Sequence, residues 1–162
     1  MNPSRYLWCI KTLKQAYQVK CDTGFPASAM TAQAILETGY GKYIPIDINN
    51  GKVSHNLFGI KGAGENGFIE CYTHEWNPDW QEFYVTIARF RAYWDYEGSF
   101  RDYVDLIRTV DRYKSALDYL NQPKRYIYEL WKAGYATDPN YPTKVSCLID
   151  TLNKIPIVLL NI

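Results

Sequence analysis

The run ASAMTAQA, from Ala27 to Ala34, limits the fold of this chain more than any other stretch. It is a good helix former, with Pro26 at its start and Gly39 and Gly41 past its end. Side chains this small let neighbouring helices approach closely, so the helix belongs at the centre of a helical body. It is expected to run from about Pro26 to Thr38 or Gly39, with Ala29, Ala32, Ile35 and Leu36 along one side. Its last turn carries Glu37. There a carboxylate faces unpaired carbonyls and the negative end of the helix dipole. Burial in a cleft wall would disfavour the ionised form further. Both effects raise the pKa, which is poor for stability and useful for a general acid. A surface glutamate tolerates the same position at a cost of about 0.3 kcal/mol, so position alone leaves both readings open.

The rest of the chain arranges itself around that helix. A first helix is expected from Pro3 to about Val19, capped by Asn2, with Tyr6, Ile10, Leu13 and Tyr17 at helical spacing. From Tyr43 to Gly67 the density of Gly, Pro and Asn marks loops. Phe68–Trp76 and Phe83–Phe90, joined by a turn at NPDW, read as a β-hairpin. Alternation puts Ile69, Cys71, Thr73 and Glu75 on one face of its first strand, and Phe68, Glu70, Tyr72, His74 and Trp76 on the other. Helices follow from a Ser99 cap to Thr109 or Val110, then over Tyr113–Leu120, Pro123–Ala133 and Tyr141–Lys154. The apolar end IPIVLLNI reads as a core-packing tail. The expected class is α+β, one mainly helical domain over residues 1–162 with a small β-lobe at about 68–91.

Composition removes several functions. A net charge of +1 is too small for a protein held to nucleic acid through phosphates. No stretch approaches the roughly 18 apolar residues of a membrane span. The first twenty residues place Tyr6, Trp8 and lysines where the apolar run of a signal peptide would lie. Cys9, Cys21, Cys71 and Cys147 are scattered; one bridge can form, spacing does not choose it, and buried thiols are the default. His55 and His74 stand alone, so neither metal nor cofactor is expected, and no G-x-S-x-G or phosphate loop occurs. Fifteen tyrosines are an excess that suits both core edges and sugar faces.

Four pieces occur in order: GFPASAMTAQAILETGYGKY, HNLFGIKG, FRAYWDYEGSFRDYVDLI and GYATDPNYPTKV. Together they resemble the bacterial peptidoglycan N-acetylglucosaminidases related to the flagellar rod-associated wall hydrolase, glycoside hydrolase family seventy-three. The resemblance covers about Gly24 to Leu152. It implies a lysozyme-like fold with a groove between helical body and β-lobe, and hydrolysis of the β-1,4 bond after N-acetylglucosamine in wall glycan. Glu37 matches the family's catalytic glutamate. The family's second carboxylate lies in a Thr-x-Glu-aromatic stretch, which THEW fits, making Glu75 the candidate ahead of Glu65 and Glu70. Tyr135 matches a tyrosine near the reaction centre, where a phenol can bind a water or the acetamido group. Phe58 is expected in the groove floor. Tyr40, Trp76, Trp80, Tyr113 and Tyr119 are candidate sugar platforms, and Asn140 a candidate substrate contact or helix cap. The implied partner is peptidoglycan, met by a monomer at the bacterial cell wall; a phage, a holin or a secretion machine would replace a leader. Inverting, retaining and substrate-assisted routes stay open. So do a muramidase or lytic transglycosylase of the same fold, and a non-catalytic wall-binding or phage structural module.

Overall fold

The computed structural model describes residues 2–160; Asn161 and Ile162 of the apolar tail lie outside it. Six helices and one hairpin follow in the order α1 (Pro3–Thr23), α2 (Ala27–Thr38), β1 (Phe68–Asn77), β2 (Glu82–Arg91), α3 (Tyr96–Thr109), α4 (Lys114–Leu117), α5 (Pro123–Lys132) and α6 (Tyr141–Leu152). Short 3-10 turns occupy Asp111–Tyr113 and Ile157–Leu160. The architecture is the α+β body with a two-stranded lobe that the pattern predicts.

Helix α2 is the axis of the body. It packs against α1, α5 and α6, and every residue from Ala27 to Ile35 except Ser28 is buried. Alanines allow that approach, and Met30 and Ile35 fill what remains, each contributing about 1.5–3 kcal/mol by leaving water. Leu36 does not join them: it is 36% exposed, because three buried neighbours already occupy the inner face.

In α1, Asn2 caps as expected, accepting a hydrogen bond from the Ser4 N–H at 2.9 Å. The buried stripe is Cys9, Thr12, Leu13, Ala16 and Val19, so Tyr6 turns outward and Ile10 and Tyr17 are only half-buried. The small residues win the inner face because α2 and α3 approach too closely for rings. The cap of α3 is Asp95, not Ser99: Asp95 accepts from the Gly98 N–H, while buried Ser99 accepts from the Leu57 N–H at 3.0 Å. In the tail, Ile155 and Leu160 are buried as expected.

The hairpin pairs Ile69 with Phe90, Cys71 with Ala88 and Glu75 with Tyr84. One face makes a small cluster of Ile69, Phe90 and Ala92. The other shows Tyr72, Trp76, Phe83, Val85 and Ile87 to solvent. At the base, Asp102 of α3 clasps the lobe, accepting from Arg91 and from the Tyr93 hydroxyl at 2.6 Å each. Lys61 bridges Phe90 at this base, yet its ammonium reaches Glu75 at 2.5 Å. From Ile69, the partner of Phe90, to Glu75 an extended strand would travel about 20 Å, farther than the two side chains reach. The ribbon therefore curls back over Lys61, as strongly twisted two-stranded ribbons do.

Candidate active site

The site starts from how α2 ends. Thr38 donates its hydroxyl to the Ala34 carbonyl at 2.6 Å and accepts from the Gly41 N–H at 2.9 Å. The Gly39 and Tyr40 N–H groups both take the Ile35 carbonyl, and Tyr43 takes that of Thr38. Gly39, Tyr40 and Gly41 all adopt positive φ, so the chain leaves the helix in one tight left-handed turn. A methyl on Gly41 would lie 2.1 Å from the indole nitrogen of Trp8.

This turn leaves Glu37 at the helix end, an exposed residue whose carboxyl group lines a pocket. Desolvation raises its pKa. The turn occupies the Ala34, Ile35 and Thr38 carbonyls, and burial of the carboxyl group is the cause of the shift.

Glu37 opens into a pocket of about 330 Å³ lined by Phe58, Ile60, Leu106, Tyr113 and Tyr135. Phe58 and Ile60 are delivered by a loop wound on one buried amide. Asn56 donates to the carbonyls of Ile60 and Arg91 at 2.9 and 3.0 Å, and accepts from the Phe58 and Ile60 N–H groups. Phe58 then stacks on Tyr103 at 4.4 Å and meets Phe100 edge-on at 5.7 Å. Tyr135 follows α5 and the left-handed Gly134, and its ring meets those of Tyr103, Tyr113 and Tyr141 at 5.9–6.2 Å. Burial first, and then its neighbours Tyr103, Tyr141 and Glu37, hold the Tyr135 phenol well above its ordinary pKa. It therefore remains a hydrogen-bond donor at any working pH. Tyr113 accepts from the Arg112 guanidinium at 2.7 Å.

The structure thus gathers Glu37, Phe58, Tyr113 and Tyr135 into one pocket. Glu75 lies on the lobe, paired with Lys61, which follows the wall residue Ile60 in the chain. The remaining candidates lie elsewhere. Tyr40 packs under Arg5, and Tyr119 under Arg125. Trp76 and Trp80 are exposed, Trp76 on the outer face of the hairpin and Trp80 at its turn. Asn140 begins α6 with no side-chain cap; its N–H is bound by Asp138. Ile60 and Leu106 line the pocket without having been singled out, although both fall inside quoted motifs.

Clefts of about 390 and 400 Å³ occur between α1 and the start of α3 and between α5 and α6. Neither brings an acid together with an aromatic wall. Among the described residues no three His, Cys, Asp or Glu side chains gather as metal ligands, and no helix is long and apolar enough to cross a membrane.

Residues 13–154 match the glucosaminidase family, described as mannosyl-glycoprotein endo-beta-N-acetylglucosaminidase. The chain is 44% identical over 125 residues to the peptidoglycan hydrolase FlgJ of Pseudomonas aeruginosa, covering 76% of this chain and 30% of that protein. It is 34% identical over 155 residues to FlgJ of Vibrio cholerae, covering 93% and 45%. It thus spans less than half the length of either. Among solved structures, a truncated glycoside hydrolase domain of Salmonella typhimurium FlgJ superposes with a TM-score of 0.74 at 31% identity, covering 91% of this chain and 97% of the other. The catalytic domain of the Listeria monocytogenes autolysin Auto gives 0.79 at 25% identity, covering 94% and 86%.

Proposed function

Because this chain belongs to the glucosaminidase family, we propose that it cleaves the β-1,4 bond after N-acetylglucosamine in bacterial cell-wall glycan, with Glu37 as general acid. The observation that carries this reading is a carboxyl group at the open wall of an aromatic pocket, with its pKa raised by burial. Neutral Glu37 protonates the departing glycosidic oxygen, and positive charge grows at the anomeric carbon. Tyr135, a permanent donor on the same wall, aligns the attacking water or the substrate's own acetamido group. Glu75 is the second carboxylate, offered from the curled lobe and held by Lys61. Peptidoglycan-degrading relatives support the cell wall as the place of action.

Turbidity of purified sacculi tests the assignment. Glu37→Gln clears them about 10²–10⁴-fold more slowly than the parent, the range that a general acid contributes. Parental clearance by that variant refutes the mechanism. Glu75→Gln slows clearance if the lobe carboxylate takes part.

One observation favours a second reading: the pocket itself is lined by a single carboxyl group, Glu37, and a lytic transglycosylase needs no other. Mass spectrometry of the fragments separates the two. Reducing-end N-acetylglucosamine supports the glucosaminidase, and anhydro-muramic ends the transglycosylase.

A further inference from the structure

One helical turn before Glu37, on the same face of α2, lies Gln33, a fully buried amide. Its Nε2 donates to the Tyr141 hydroxyl at 2.9 Å, and its Oε1 accepts from the Tyr103 hydroxyl at 2.7 Å. Tyr103 is in turn 2.7 Å from the Tyr126 hydroxyl. Four polar side chains from α2, α3, α5 and α6 thus form one chain inside the core, and its hydrogens have to be distributed. Tyr103 gives its hydrogen to Gln33, so Tyr126 donates to Tyr103. Gln33 gives its own to Tyr141, which leaves the Tyr141 hydrogen as the loose end.

The opposite polarity would leave the loose hydrogen on Tyr126. That hydroxyl is fully buried, its ring packs against Phe25 at 6.0 Å, and among the described residues it has no hydrogen-bond partner besides Tyr103. An unsatisfied donor there is costly. At the Tyr141 end the chain meets the ring of Tyr135, which lines the pocket together with Glu37. The core closes one end of the chain, and the other lies on the side of Tyr135 and Glu37.

We propose that Tyr141 is a positioning residue for the catalytic acid: Gln33 holds its hydroxyl as a donor, and that donor meets the Glu37 carboxylate through one water as the acid releases its proton. This inference rests on Glu37 being the acid. No proton leaves Tyr141: the proton of Glu37 goes to the glycosidic oxygen, and the phenol supports the carboxylate left behind. Burial, and then the charge of Glu37, hold the Tyr141 phenol above its ordinary pKa, so it remains a donor. The other groups facing Glu37 and the helix end are Tyr135, then Tyr113 with Arg112 upon it, and from α1 Arg5 lying over Tyr40. Tyr103 and Tyr126 face Gln33 from α3 and α5.

A donor to a carboxylate favours its ionised form and lowers its pKa. Removing the donor lets burial push Glu37 further up, so the alkaline limb of the rate, where the acid is lost, moves to higher pH. The maximal rate falls, because the new carboxylate is less supported. Tyr141→Phe is therefore expected to move the alkaline limb of sacculus clearance up by about one unit and to lower its plateau about tenfold. Tyr126→Phe removes the same hydroxyl from the closed end of the same chain, and its limb stays where the parent has it. If both variants shift alike, or neither shifts, the proposal is overturned. Should Tyr141→Phe fail to melt cooperatively, Gln33→Met, which frees the Tyr141 hydroxyl to rotate, replaces it: a smaller upward shift supports the proposal, and an unmoved limb overturns it. An inactive Glu37→Gln beside an unmoved Tyr141→Phe limb removes this inference alone; an active Glu37→Gln removes the function as well.

Discussion

Gly41→Ala and Gly24→Ala form a matched pair that isolates the packing behind the catalytic turn. Both glycines have φ +80, so alanine meets the same backbone strain at each, about 1 kcal/mol. Around Gly24 nothing lies within 4 Å of an added methyl. At Gly41 that methyl would sit 2.1 Å from Trp8 Nε1 and 2.8 Å from two ring carbons. Trp8 cannot yield freely, because it contacts Tyr96 through a 3.4 Å hydrogen bond and a ring approach of 6.0 Å. Overpacking of this kind adds about 1–3 kcal/mol. Gly24→Ala should then cost about 1 kcal/mol and Gly41→Ala about 3 kcal/mol. At about 3 °C per kcal/mol for a chain of this size, the melting points fall by about 3 and 9 °C. Thermal unfolding followed by far-ultraviolet circular dichroism measures both. The same displacement moves the turn that sets Glu37, so Gly41→Ala also slows sacculus clearance and Gly24→Ala does not. If the two variants melt within about a degree of each other, the claim that Trp8 braces the turn is wrong.

Two further outcomes follow from the site. Asn56→Ala strands the carbonyls of Ile60 and Arg91 and two loop N–H groups, costing about 2–4 kcal/mol in urea unfolding and letting Phe58 and Ile60 leave the pocket wall; an unchanged midpoint with full activity argues against that loop as the wall's support. Glu37 has a pKa raised on folding, so its protonated form favours the folded state below the ordinary glutamate value, and that stability is lost as pH rises through the raised one. Glu37→Gln should therefore melt with the parent in acid and above it at neutral pH, and equal melting at both pH values would contradict the raised pKa.

Much of this was legible where the physics is local. The alanines of α2, the turn residues behind Glu37 and the alternation of the hairpin are short-range signals, and the elements they predict are present. The inner face of α1 was less legible. Tyr6 shares its spacing with true core positions, and only the closeness of α2 and α3 decides that Cys9 and Ala16 go inward instead. Ser99 carries the right chemistry for a cap, but Asp95 reaches the Gly98 N–H, leaving Ser99 to hold Leu57. Aromatic platforms were hardest, since Tyr40 and Tyr119 each lie beneath an arginine distant from them or on another element. The Gln33 chain was invisible because its members stand at 33, 103, 126 and 141, and nothing local marks a glutamine as the link between two phenols, with a third beyond one of them.

Two of the side-chain clasps on the lobe differ in durability. Its root is held by Asp102 between a guanidinium and a phenol, half shielded from solvent. Its curl is held by Lys61 and Glu75, a pair open enough to water that dissolved ions screen it and its worth is at most about 1 kcal/mol. Concentrated salt is therefore expected to weaken the Lys61–Glu75 clasp before the Asp102 root. How firmly the lobe tip is held then depends on the medium as well as on the chain: less in concentrated electrolyte, more in dilute.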